Sequence, residues 1–220
     1  MRNTTHKNTV LSLAFAASLV TACGSASNNN TTGDGATNGD VRTSGGDASA
    51  ALDLAGRWRN ACTPNGSGGG FSLDFELTAS EWRLDYVTYA EPACATRMVT
   101  VHIEGPYEIG ARSAQVSGAS EAVFRFTRKT VTAHNAGAVG FLSGLPMCTG
   151  PFEVDVARDI SASGCAGLGQ RPVAACAQDY DLVSVEGDSL RFGQRPADND
   201  MCTADKRPSA LAPVSSQRVR

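Results

Sequence analysis

Phe71-Ser72-Leu73-Asp74-Phe75-Glu76-Leu77-Thr78 alternates without exception, an apolar side chain at every odd position and a polar one at every even position. A period of two places all the apolar groups on one face of an extended chain, whereas a helix would scatter them around its axis. The run is therefore a strand with one buried and one wet face. Trp82, Leu84 and Tyr86 continue the pattern after the Ala79-Ser80 break, with Arg83 and Asp85 opposite, so the two runs predict an antiparallel hairpin. Val99, Val101 and Ile103 alternate again, and Tyr107 and Ile109 follow what reads as a Gly105-Pro106 turn. Further strands are expected at Val123 to Thr127, Thr130 to Ala133, Phe152 to Val156, Tyr180 to Val185 and Leu190 to Phe192. The stretch Asn135 to Leu145 breaks the alternation and reads as a short helix or an ordered loop. The fold class that follows is all-β: an antiparallel barrel of about eight to ten strands, since closure removes exposed sheet edges.

The N-terminus has another character. Arg2 and Lys7 precede an apolar run from Val10 to Val20 with no acidic residue, which fits a secretory signal. The run is too short for a transmembrane helix, which needs about 20 apolar residues. Val20-Thr21-Ala22-Cys23 closes it as a lipobox, so residues 1–22 are expected to be a lipoprotein signal peptide and Cys23 the acylated N-terminus. Gly24, not being aspartate, is compatible with sorting to the outer membrane. Residues 23–50 are almost all Gly, Ser, Asn, Thr and Asp, too poor in apolar groups to offset ordering entropy, and are expected to form a disordered linker. A single barrel domain is expected over residues 51–211, with residues 212–220 as a flexible tail.

Cysteine count agrees with export. Setting Cys23 aside from the seven leaves Cys62, Cys94, Cys148, Cys165, Cys176 and Cys202. An even set in an oxidising envelope reads as three disulfides. Cys62 and Cys94 bracket the first hairpin, Cys148 and Cys165 the run around Val154, and Cys176 and Cys202 the hairpin from Tyr180 to Phe192, so these three pairings are expected. No Cys-x-x-Cys or paired histidines offer a metal site. Removing residues 1–22 takes Arg2 and Lys7 from the 19 basic residues and none of the 22 acidic ones. The resulting acidic balance, without a basic stripe, argues against nucleic acid as a partner.

Catalytic patterns are weak. Asn65-Gly66-Ser67-Gly68-Gly69-Gly70 lacks the Lys and Ser/Thr of a phosphate loop and leads into a strand. Ser143 misses the Gly-x-Ser-x-Gly spacing by one residue. His102 falls on the polar side of its strand and His134 at a strand end, where a hydrogen-bonded surface role outweighs catalysis. Asp74, Glu76 and Asp85 fall on the wet face. The expected function is non-enzymatic and needs no cofactor. Trp58, Phe71, Phe75, Trp82 and Tyr86 either fill the barrel or line a cavity for one apolar ligand.

Leu54-Ala55-Gly56-Arg57-Trp58 resembles the Gly-x-Trp opening of lipocalins. Trp58 with Cys62, Tyr89 with Cys94, and Gly105-Pro106-Tyr107 follow. Then come Cys148, Asp159 through Gly164-Cys165-Ala166-Gly167-Leu168-Gly169, Tyr180-Asp181-Leu182-Val183, Leu190-Arg191-Phe192-Gly193 and Arg207-Pro208-Ser209-Ala210-Leu211. In that order, over about residues 54–211, they resemble the lipocalin-like extracellular domain of the adenomatosis polyposis coli down-regulated family. The chain departs from that pattern in lacking a charged residue after Cys62, in carrying Glu91 for an aspartate, and in the added Cys176 and Cys202. Animal members have two such domains and act on Wnt signalling; the resemblance implies the fold and an apolar pocket here, not the pathway. The expected protein is a monomeric lipoprotein of the bacterial envelope, partnered by the bilayer and by an apolar ligand such as an acyl chain. The alternative is an interaction module with a filled barrel.

Overall fold

The computed structural model describes residues 52–220; the expected signal peptide, Cys23 and the linker lie outside the described residues. The elements in chain order are β1 (Gly56–Arg59), β2 (Thr63–Pro64), β3 (Gly70–Leu77), β4 (Glu81–Tyr89), β5 (Arg97–Arg112), β6 (Ser120–Arg125), β7 (Arg128–Ala133), α1 (Ala136–Gly144), β8 (Ala157–Asp159), β9 (Gln178–Glu186), β10 (Ser189–Phe192) and β11 (Ser216–Arg218). Eight strands close a barrel in the order β3, β1, β11, β10, β9, β6, β5, β4 and back to β3, every pairing antiparallel. The strands β7 and β8 extend the sheet beyond β5, and β2 extends it beyond β3.

Alternation builds the barrel as the sequence predicts. Phe75 and Leu77 on β3 are buried and lie opposite Leu84 and Trp82 on β4. Thr78 turns the hairpin by accepting the Glu81 amide on its hydroxyl at 3.0 Å. Trp58 is fully buried, its indole N–H donating to the Leu54 carbonyl at 2.9 Å. The floor of the barrel is a chain of aromatic contacts: Phe75 stacks on Phe192 at 4.4 Å between centroids, Phe192 meets Phe124 at 5.6 Å, and Phe124 meets the edge of Trp82 at 5.1 Å. Such contacts add directional energy to the area they bury.

Three local expectations give way. Gly105-Pro106 is not a turn, for β5 runs straight through it and changes partner there from β7 to β6. Gly105 is required by close approach: a Cβ at that position would lie 2.3 Å from the Arg125 carbonyl oxygen. Phe152 to Val156 is not a strand either. Phe152 is buried, but Val154 and Val156 stay about half exposed, Asp155 takes a left-handed φ of 58°, and only a single parallel bridge joins Val154 to Ala133. Pairing instead begins at Ala157. Finally, residues 212–220 do not form a free tail, because Ser216–Arg218 is the strand that closes the barrel between β1 and β10. Arg218 fixes it there, its guanidinium 4.2 Å from the centroid of Trp58 and donating to the Ala55 carbonyl at 2.6 Å.

The uncommitted stretch after β7 is the helix α1, capped by the Asn135 side chain, which accepts the Ala138 amide at 2.9 Å. It seats Ala138 and Leu142 in the same hydrophobic cluster as Cys148, Phe152, Ile160 and Cys165. The three disulfides are Cys62–Cys94, Cys148–Cys165 and Cys176–Cys202, the expected pairings. The last ties the start of β9 to the segment of residues 193–211, which lies across Asp181 and Tyr180: Gly193 donates to Asp181 and Tyr180 donates to the Met201 carbonyl.

Candidate functional site

The five aromatic residues expected to line a pocket separate into two sets. Trp58, Phe75 and Trp82 are members of the packed floor, 0%, 6% and 6% exposed. Trp82 is further held by its indole N–H, which donates to the Arg125 carbonyl at 3.0 Å. Phe71 and Tyr86 are half-buried, with ring centroids 5.7 Å apart. They sit toward the far end of β3 and β4, where Gly70 pairs with Tyr89. Between floor and far end, Leu73 lies directly across from Tyr86, and Leu84 across from Phe75. Both leucines pack against the core yet remain partly exposed, as do Val185 and Phe192. Leu73 and Leu84 were not among the expected lining residues, although they share the register of Phe71, Phe75 and Trp82.

Geometry thus grades the interior from closed to half-open. Aromatic rings seal the end where β3 turns into β4. Apolar side chains retain contact with solvent toward the end where Phe71 sits. Burial pushes the Tyr86 phenol above its ordinary range, since its anion would lie among apolar side chains. The phenol stays neutral at physiological pH. The wall is apolar and holds no nucleophile or base.

Charged groups collect on the outer face. Asp74, Asp85 and His102 face one another across β3, β4 and β5, and Glu76, Arg83 and Glu104 form the adjacent row. Arg57 donates to Asp74 at 2.8 and 2.6 Å, and Arg59 also pairs with it. Burial of Asp74 pushes its carboxyl up, but the hydrogen bonds from Arg57 and Arg59 together overcome this and hold it below the usual range. His102 donates from Nδ1 to Asp85 at 2.6 Å, and that bond, outweighing partial burial, raises its pKa. Each carboxylate of these rows has an Arg or His partner, so the face is a lattice of cross-strand pairs.

His134 is the middle of another row, its Nε2 2.7 Å from the Thr100 hydroxyl and its Nδ1 2.8 Å from Asp155. The order of groups is that of an acyl-transfer relay. Thr100, however, lies mid-strand with β4 on one side and β7 on the other. Its backbone is committed to the sheet, leaving no local amide to stabilise an oxyanion. What the row does is pin the loop around Asp155 against β7, a hydrogen-bonded role for His134. Among the described residues, one cluster of metal-type side chains occurs, Cys176, Asp179 and Cys202. Both sulfurs are joined to each other and Asp179 is paired with Arg195, so the cluster offers neither a thiolate nor an unpaired carboxylate to a cation.

Asp179 and Asp181 are buried beside the barrel, a feature the sequence did not announce. Asp181 accepts the Leu182 amide at 2.7 Å and the Gly193 amide at 2.9 Å. Desolvation dominates these bonds and the attraction of Arg195, and pushes its pKa to about 6. Lys129, 3% exposed and 4.0 Å from the centroid of Phe126, has its pKa lowered to about 8 by the same cause. No protein-family model matches this chain.

Proposed function

We propose that the protein is a lipid-anchored envelope protein, acylated at Cys23, whose barrel binds an apolar ligand such as an acyl chain. The observation that carries the reading is the half-exposed apolar wall of Leu73, Leu84 and Tyr86, leading to Phe71 inside a closed barrel. Apolar side chains left partly wet in a concave wall gain about 25 cal/mol per Å² when a ligand covers them, before ordering costs. Trp58, Phe75 and Trp82 form the floor on which the chain would end, not the wall it lies against. The three disulfides suit an extracytoplasmic life, where such cross-links persist.

A second reading has its own observation. The contacting rings of Phe75, Phe192, Phe124 and Trp82 form a chain across the barrel, which favours an interaction module whose work is done on outer faces. Mass spectrometry of the protein gently extracted from membranes tests both parts of the first reading. It predicts an N-terminal Cys23 carrying acyl chains, together with a non-covalent lipid released on denaturation. An unmodified N-terminus would overturn the anchor, and an empty domain with no lipid in any preparation would favour the interaction module.

A further inference from the structure

A lysine lies on the inner face of the sheet. Lys129 on β7 is directly across from Ile103 on β5, Ile103 across from Leu84 on β4, and Leu84 across from Phe75 on β3. Side chains opposite one another on paired strands share a face, so Lys129 ends a row whose other three members are apolar and pack in the barrel core. Lysine side chains normally carry their ammonium out to water. This one does not, for Lys129 is 3% exposed, no more than Val101 in the next row of β5.

Its partners leave the charge uncompensated. An ammonium offers three donors; one reaches the Arg171 carbonyl at 3.3 Å, and the face of the Phe126 ring lies 4.0 Å from the nitrogen. Both partners are neutral. Asp179 attracts the amine, but Arg195 repels it and holds the Asp179 carboxylate in an ion pair of its own. Among the described residues no carboxylate oxygen comes within 4.0 Å of Lys129 Nζ. Buried cations are costly unless paired, and desolvation accordingly lowers its pKa to about 8. An apolar side chain would fill this position at lower cost. An ammonium held here among neutral partners is complementary to an anionic group on an otherwise apolar ligand.

The row of Lys129 and Phe75 is four residues of strand from Phe71 at the half-open end, roughly 13 Å. The rows between carry Leu73, Tyr86 and Val101, then Val99 beside Phe71. We propose that the ligand is an unesterified fatty acid, its carboxylate paired with Lys129 Nζ and its chain running along Leu84, Tyr86 and Val101 toward Phe71. This rests on the reading of the barrel as an acyl-chain binder and deepens it by naming the headgroup. A carboxylate makes a charge-assisted hydrogen bond to the ammonium and removes the unpaired charge. An ester of the same chain covers the same apolar area and leaves that charge where it was.

The test is calorimetric titration of the unacylated protein with palmitic acid and with its methyl ester. The acid is expected to bind at least tenfold more tightly at pH 7, and Lys129→Met to bring it down to the affinity of the ester while leaving the ester unchanged. A second measurement needs no variant. At pH 8.5, in two buffers of different ionisation heat, the acid should take up protons, because the carboxylate restores the charge of an amine that titrates at about 8. The ester should take up none. The charged groups facing Lys129 are Asp179 of β9 and Arg195, and Asp181 beside them, at about 6, is already ionised at that pH. Equal affinities for acid and ester, no proton uptake, or an acid preference that survives Lys129→Met would each overturn the proposal and leave the acyl-chain reading standing. Failure of both ligands to bind would overturn the two together.

Discussion

Replacing Asp181 by asparagine should make the protein more stable at neutral pH, and the size of the gain follows from the burial of the carboxylate. Asp181 is 4% exposed, and its folded pKa is pushed from the ordinary 3.8 to about 6. A group whose folded pKa is raised contributes its stability at low pH. The folded state holds a proton that the unfolded chain releases near pH 4, and the advantage is lost as pH rises through about 6. Above that, the buried charge costs about 3 kcal/mol, at 1.36 kcal/mol per pKa unit. Asparagine keeps an oxygen for the Leu182 and Gly193 amides and removes the charge. The space is tight, since a Cβ on Gly193 would lie 2.5 Å from this oxygen, so a residue of the same shape is needed. With a urea m-value of about 2 kcal/mol per M, the midpoint should rise by about 1.5 M at pH 7.5 and hardly change at pH 4. Urea unfolding with the disulfides intact reads both. A gain of equal size at both pH values, or a loss at pH 7.5, would refute the argument from desolvation.

Two further outcomes test the closure of the barrel. Arg218→Ala removes the guanidinium from Trp58 and its charged hydrogen bond to Ala55; the loss should be about 2 to 3 kcal/mol, read as a melting temperature lower by about 5 to 10 °C. Replacing Cys148 and Cys165 together by serine should cost about 3 kcal/mol. Because both sulfurs belong to the cluster beneath α1, faster amide hydrogen exchange should appear in α1 and not in β3.

The barrel was legible in the sequence because alternation is a property of every strand that has one wet face. The hairpin of β3 and β4 needed nothing else. Gly105-Pro106 misled because a glycine demanded by close packing and a glycine demanded by a turn look alike in one dimension. Phe152 to Val156 misled because alternation reports fitness for a buried face, not the presence of a neighbour to bury against. The closing strand was hidden for the opposite reason. Ser216, Gln217 and Arg218 carry no apolar period, and the strand is held by Trp58, some 160 residues away in sequence. Of the pocket, the register of the wall was readable from Phe71 to Tyr86. The division into floor and half-open end was not, because Phe75 is sealed by Phe192 and Trp82 by Phe124, contacts between segments that no local pattern links. The buried pair Asp179 and Asp181 broke the alternation of β9 silently, since acidic residues in a strand normally read as its wet side.

Whether the barrel takes an apolar chain is decided by titrating the unacylated protein with fatty acids of graded length. Trp58 and Trp82 in the floor report arrival of the chain end. The expected result is a saturable one-to-one fluorescence change that strengthens with chain length until the wall is covered, and that is abolished by Leu84→Phe, which fills the space without adding a charge. No saturable change at any chain length, from a protein with an unaltered melting temperature, would contradict it and leave the outer faces of a filled barrel as the working surface.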